Sequence, residues 1–276
     1  MKKRAIGRFG QMLALAAVAA AVGKAGAALG TAHATERPAF LPLPTGATQA
    51  REQQTMDSAR VRGLLQAARG ANTMMCELAA MTVDGRSGWS SGTDGDFRSG
   101  GSGDSLARDV VTWAHHGDVD ATAVPLLGAA LADSDWCVRR LAAPLLGRVK
   151  GASAMPAMLA ALAASEASTR EMGALALGFA DDPRSIEPLV ARLRDDSPRV
   201  RATAAWALGE LERRETVRPL IAALADADAL VRESAAQALG EIEDPAAIPA
   251  LTDLLKSDRQ AAVRRAAARA LGEIAG

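Results

Sequence analysis

From residue 105 onward the chain repeats itself, and no other feature constrains its fold as tightly. The segments Val138-Arg139 to Gly147, Thr169-Arg170 to Gly178, Val200-Arg201 to Gly209, Val231-Arg232 to Gly240 and Val263-Arg264 to Gly272 superpose, their closing glycines 31, 31, 31 and 32 residues apart. Leu precedes every one of those glycines (Leu146, Leu177, Leu208, Leu239, Leu271), and Ala stands four before it (Ala143, Ala174, Ala205, Ala236, Ala268). A small residue and a Leu three apart share one stripe of an α-helix, the buried one. The Gly suits the helix C-terminus, where the chain often turns left-handed.

A second helix follows each of the first four. Val124, Met155, Ile186, Val217 and Ile248 recur every 31 residues, as do Leu127, Met158, Leu189, Leu220 and Leu251, and Leu131, Leu162, Leu193, Leu224 and Leu255. Those positions build one apolar helical face. The first of these helices implies a leading repeat at 105–131, with Arg108 in the Arg column. Helices of about 10–13 residues are marginal alone, so stability must come from stacking on neighbours. The expectation is five helix pairs followed by a single final helix, Val263 to Ile274. That end is expected to fray, or to dock a partner or a second copy of the chain.

The blocks VRESAAQALGEIEDPAAIPALTDLL and RVRATAAWALGELERRETVRPLIAAL resemble HEAT repeats of the phycobilisome-lyase-like class. The resemblance covers residues 105–276. It implies an all-α fold, a right-handed α-solenoid of stacked two-helix HEAT-like repeats, with first helices on the convex side and second helices lining the concave side. It implies no single activity, because such repeats serve scaffolds, chromophore lyases, DNA-repair proteins and a di-iron hydroxylase alike.

Composition agrees with an all-helical chain: 49% of the 276 residues are hydrophobic, only 3% aromatic, and there is no Tyr. Thirty-two Lys/Arg balance thirty-two Asp/Glu, yet residues 1–34 hold Lys2, Lys3, Arg4, Arg8 and Lys24 and no acid. The remainder is therefore acidic, which argues against nucleic acid as a partner. A basic start, an apolar run from Met12 to Val22 and small-x-small sites ending at Ala27 and Ala34 read as a signal peptide over 1–34, and so as export to the periplasm or the extracellular space. Membrane contact is expected only through that segment if it stays uncleaved. Residues 35–56 read as a Pro-containing spacer, and 57–84 as a degenerate helical pair broken near Gly70-Ala71-Asn72. Residues 85–104, with seven Gly and five Ser, read as a flexible loop. Asp94-Gly95-Asp96 within that loop lacks the further acids of a calcium site.

One polar pattern recurs. Asp133/Arg139, Asp195/Arg201, Asp226/Arg232 and Asp258/Arg264 each sit six apart, and Arg170 keeps the Arg where Ala164 replaces the Asp. Read structurally, Asp caps the first helix while Arg links to an acid of the neighbouring repeat; HEAT family members use this pair as an internal ladder. Catalytic, cofactor and metal residues are expected to be none. His115 and His116 are adjacent and diverge by about 100° on a helix, and no Ser/His/Asp or Cys/His set is brought together. Cys76 and Cys137 are expected to remain two separate thiols.

What is left is a binding surface. Ala129, Ala160, Ala191 and Ala222 on the second helices describe a smooth groove suited to an apolar or amphipathic protein segment, with Glu187, Arg192 and Arg218 beside it. The variable column Pro144, Leu175, Trp206, Gln237, Arg269 is expected to face solvent, making Trp206 a candidate anchor. Trp113 and Trp136 are expected to pack at the solenoid's cap. Two function classes stay open: an exported HEAT-repeat adaptor that binds another protein, and a lyase-type or sensor-accessory protein acting on a bound small molecule or modified client.

Overall fold

The computed structural model describes residues 56–71, Cys76 and 119–276. The signal segment, residues 35–55 of the spacer, the Gly/Ser-rich loop, the leading part of the first repeat and the histidines lie outside the described residues. α1 (Ser58–Ala68) is followed by α2 (Val124–Ala130), α3 (Trp136–Gly147), α4 (Met155–Leu162), α5 (Ala167–Phe179), α6 (Ile186–Arg192), α7 (Pro198–Glu210), α8 (Val217–Ala223), α9 (Ala229–Ile242), α10 (Ile248–Ser257) and α11 (Ala261–Ala275). Each even-numbered helix from α2 to α10 is entered through a three-residue 3-10 turn. Three of those turns are capped by an Asp two residues ahead of a backbone N–H: Asp120 accepts from Thr122, Asp182 from Arg184 and Asp244 from Ala246. The only extended pairing among the described residues is two isolated parallel bridges, Met56 to Val119 and Val119 to Val149.

The apolar columns are the core. Leu127, Leu189, Leu220 and Leu251, and on the facing helices Leu146, Leu177, Leu208 and Leu239, are fully buried, each contributing about 1.5–3 kcal/mol of hydrophobic stabilisation. The pairing runs in the opposite frame to the one expected. α2 packs on α3, α4 on α5, α6 on α7, α8 on α9 and α10 on α11. The short Pro-containing helix thus opens each unit and the Val-Arg helix closes it. α10 and α11 form a complete pair, and α11 is not the single final helix of the sequence reading. On α11 Ala266 is buried, Leu271 half-buried and Ala268 exposed.

The recurrent glycine has a different role from the expected one. Gly147, Gly178, Gly209 and Gly240 do fall in the last turn of α3, α5, α7 and α9, as expected, but none has a positive φ. The left-handed residues come three positions later and are Asp181, Glu212 and Glu243. The glycines are there for close approach. A Cβ on Gly209 would stand 2.7 Å from the Cα of Ala238, and one on Gly240 2.9 Å from the Cα of Ala270. Alanine and glycine on facing helices let α3, α5, α7, α9 and α11 pack nearly backbone to backbone. No comparably close packing joins α4 to α6, α6 to α8 or α8 to α10. A stack whose one layer is spaced more tightly bends toward that layer. The Val-Arg helices therefore form the inner, concave face and the Pro-containing helices the outer one; first helices are convex and second helices concave, as the resemblance implied, and the shifted frame exchanges which helix is which.

At the N-terminal side, α1 is capped by Asp57, which accepts from the Arg60 N–H. It buries Val61, Leu64, Leu65 and Ala68, an i, i+3, i+4, i+7 stripe, against α2 and α3. Gly70, with φ +76°, turns the chain out of it. Cys76 and Cys137 form a disulfide, contrary to the expectation of separate thiols; their Cα atoms are 5.5 Å apart, inside the range such bridges need. Sequence distance had argued against the pairing, and the packing of α1 on α3 removes that distance.

Candidate functional site

Five arginines of the inner helices repeat one anchor. The Nη1 of Arg139 donates to the carbonyls of Asp133 and Ser134, that of Arg170 to Ala164 and Ser165, that of Arg201 to Asp195 and Asp196, that of Arg232 to Asp226 and Ala227, and that of Arg264 to Asp258 and Arg259. These contacts fasten each Arg across the turn that leads into its own helix. The remaining edge of the fork points to the next repeat. Arg170 Nε and Nη2 each donate at 2.8 Å to Asp195, Arg201 at 2.8 and 2.9 Å to Asp226, and Arg232 at 2.7 and 3.2 Å to Asp258.

The aspartates close the rung from the other side, though not as helix N-caps. Asp195 accepts from the N–H of Ser197 at 3.0 Å, Asp226 from that of Asp228 at 2.8 Å and Asp258 from that of Gln260 at 2.8 Å. Those donors are themselves the residues at the helix N-cap. Each Asp therefore sits two residues before the cap and holds the turn. Burial is the largest single influence on Asp195 and Asp226 and pushes both up, but the arginine hydrogen bonds, the backbone N–H and the nearby arginine charge together outweigh it and both stay below the ordinary carboxylate range. Asp258 is lowered mainly by the Arg232 hydrogen bond. Arg170, Arg201 and Arg232 are raised chiefly by the same bonds.

The pattern changes toward the N-terminal side. Asp133 takes its bidentate partner from Arg69, just past α1, at 3.2 and 2.7 Å, and accepts from the Asp135 N–H at 2.9 Å. Asp135 accepts from the Gly70 N–H at 3.0 Å. Arg139 has no acid to reach, because Ala164 stands where the next Asp belongs.

The inner face carries a groove of about 690 Å³ spanning α3, α5, α7 and α9. It is lined by three successive stripes: Ser168, Met172 and Leu175; Arg199, Thr203 and Trp206; Leu230, Ser234 and Gln237. Each stripe occupies positions i, i+4 and i+7 of its helix, one continuous face. Trp136, Arg139 and Arg140 complete one end. Leu230 and Trp136 are 49% and 37% exposed, a high apolar exposure for side chains of that size. Three guanidinium groups against the single carboxylate of Glu171 give the lining a basic bias. Glu171 is paired with Arg199 at 3.1 Å.

The predicted contact residues do not gather there. Glu187 and Arg218 are exposed on α6 and α8, in the outer layer, and Arg192 on α6 is turned into the ladder, 3.4 Å from Asp195. Ala129, Ala160, Ala191 and Ala222 are exposed on that same outer face. Trp206 does line the groove but is half-buried, its ring tilted against Phe179 at a centroid distance of 5.3 Å. Its column is not uniformly solvent-facing: Pro144 and Leu175 are buried, and Gln237 and Arg269 exposed. Trp136, expected at the cap, lies in the groove. The sequence did hold a signal for these residues. The stripe positions differ from repeat to repeat while their flanking columns hold, and only one of the three columns was singled out.

Among the described residues no three His, Cys, Asp or Glu side chains gather as a metal site, and no helix is long and apolar enough to cross a membrane. A family model described as HEAT repeats matches residues 124–200 and 186–272, both matches starting on a Pro-containing helix, which is the frame in which the helices pair. No curated protein matches the chain. Among solved structures, the complex of CpcE and CpcF of phycocyanin lyase from Nostoc sp. PCC7120 is similar at 24% identity and TM-score 0.50, over 55% of this chain and 99% of that one, a likeness of fold alone. A designed armadillo repeat protein in complex with the peptide (KR)4 matches at 17% identity and TM-score 0.41, over 78% of this chain and 99% of that one. Human deoxyhypusine hydroxylase matches at 18% and 0.39, over 79% and 96%.

Proposed function

Because the chain belongs to the HEAT-repeat family, whose members share an architecture and not a chemistry, we propose that it is an exported, non-catalytic adaptor that holds a segment of another protein on its inner face. The observation that carries this reading is the groove itself. It runs across four successive inner helices, mixes exposed apolar side chains (Trp136, Leu230) with hydrogen-bonding ones (Ser234, Gln237, Thr203), and is long rather than closed. Apolar anchors set among polar groups on a rigid face suit an extended or helical protein segment. Export rests on the basic and apolar character of residues 1–34.

A pull-down from the exported fraction tests the reading with two variants of the protein as bait. A stoichiometric protein partner that is retained by wild type and by the outer-face variant Arg218→Ala, and lost with the groove variant Leu230→Asp, is the expected result. Retention that ignores Leu230→Asp but falls with Arg218→Ala would move the interface to the outer face and overturn it.

A further inference from the structure

In three successive repeats one aspartate carboxylate receives the same three donors: the Nε and Nη2 of the preceding repeat's Arg, and a backbone N–H two residues after the Asp. In the repeat that begins with α4, the carboxylate is missing because residue 164 is Ala. The donors are not missing. Arg139 is held by the same two carbonyl contacts as its sister arginines, which fixes its fork in the ladder orientation, and its Nε and Nη2 meet no acceptor. The Glu166 N–H, the counterpart of the Ser197, Asp228 and Gln260 amides, meets none either. Arg139, Ala167 and Ser168 line the groove, whereas Arg170, Arg201 and Arg232 do not. On its arginine side the empty rung therefore borders the groove, as the arginines of the filled rungs do not.

We infer that Arg139 and the Glu166 N–H form a carboxylate-binding site at one end of the groove, and that it receives a carboxylate of the bound partner. The ligand class follows from the three filled rungs, each of which shows a carboxylate in the matching place, bidentate on a guanidinium that needs no rearrangement to accept it. The assignment of the carboxylate to a partner rests on the adaptor reading above; the existence of the site does not.

Thermal melts of the purified protein in rising sodium acetate, with sodium chloride holding the ionic strength constant, test the site without any partner. The melting temperature of wild type should climb and saturate, since a ligand that binds only the folded state stabilises it by mass action. Ala164→Asp should melt higher from the outset, because it restores the rung, and should lose the acetate response. Arg139→Gln should lose the response without the gain. Arg264, which keeps its carbonyl anchors and has no carboxylate partner among the described residues, is present in all three proteins and sets the background of a lone fork. An acetate response of equal size in wild type and Ala164→Asp, or none in wild type, overturns the site. N-acetylglycine and N-acetylaspartate amide, run in the same way, distinguish a chain terminus from an acidic side chain as its occupant. A pull-down that fails beside a successful acetate titration removes the adaptor reading and leaves the site standing.

Discussion

The two ends of the described stack are held by different means. From α5 to α11 every junction between repeats carries the same rung, Arg170 to Asp195, Arg201 to Asp226 and Arg232 to Asp258, above a continuous layer of Gly and Ala contacts. Around α1 to α4 the register is looser. One rung is lost at Ala164, another is supplied from outside the repeat by Arg69, and a disulfide crosses 61 residues to tie Cys76 to α3. Identical units stabilise one another through nearest-neighbour contacts alone. Where the units diverge, that cooperation weakens and long-range ties take its place.

The largest effect should come from breaking the covalent tie. Closing a loop of this length constrains the unfolded chain by about 4 kcal/mol in the chain-entropy account. We expect reduction, or Cys137→Ser paired with Cys76→Ser, to lower stability by about that amount in a denaturant titration. The loss should concentrate in the N-terminal part: hydrogen exchange should rise through α1 and α2 and stay slow through α7 and α9. Uniform acceleration across all repeats would show that the two regions unfold as one and that the contrast has no energetic meaning.

A smaller effect distinguishes a filled rung from the empty one. Arg201 and Asp226 are mostly buried, and Arg201→Ala would strand a carboxylate that now receives two hydrogen bonds from that side chain. The cost should be about 2 kcal/mol, between that of a lost charged hydrogen bond and that of a broken buried pair. Arg139→Ala removes the same carbonyl contacts but strands no acid, so it should cost about 1 kcal/mol or less. Equal losses in parallel melts would mean that the ladder's energy lies in its carbonyl anchors and not in the carboxylates.

Much of this contrast was legible in the sequence. The 31-residue period announced the stack, and the Asp-Arg spacing announced the rungs, because both are local and repeated. Three things were not legible for physical reasons. The frame of the pairs depends on which connection is tight, and a strictly periodic pattern reads equally well in either frame. The glycine column looked like a set of helix caps because Gly serves both left-handed turns and close contacts; only the neighbouring helix decides between them. The disulfide and the Arg69 to Asp133 pair join residues 61 and 64 positions apart, in a region with no repeat to reveal what faces what. The misplaced concave surface followed from the frame. Placing it on the outer helices set Glu187, Arg192 and Arg218 forward as contacts, put Trp136 at the cap and left Leu230 of the groove unnamed.

The smallest effect is one of pH, and its sign follows from the carboxylates. In the folded protein Asp226 is pushed up by burial, and the Arg201 hydrogen bond, the Asp228 N–H and the charges of Arg201 and Arg232 together pull it further down, so it titrates below its ordinary range. A carboxylate with a depressed folded pKa contributes stability that is fully present above its unfolded value, about 3.9, and is lost as the pH falls through the folded value. The difference in stability between wild type and Arg201→Ala should therefore hold constant from about pH 7 to 5 and shrink as the pH drops below about 4. Arg69 to Asp133 offers the comparison at the other end of the stack. Asp133 is likewise lowered, but the hydrogen bond from the Asp135 amide is the largest influence there, and the Arg69 side chain is 56% exposed. Solvent screens such a pair, so Arg69→Ala should open a gap of less than about 1 kcal/mol at neutral pH, with little left for acid to close. Denaturant midpoints measured from pH 7 to 3 on the three proteins would show a steep convergence for Arg201→Ala and a nearly flat line for Arg69→Ala. If instead Arg69→Ala converges as steeply as Arg201→Ala, the outlying ion pair is as tightly held as an internal rung, and the N-terminal part of the stack belongs to the same ladder.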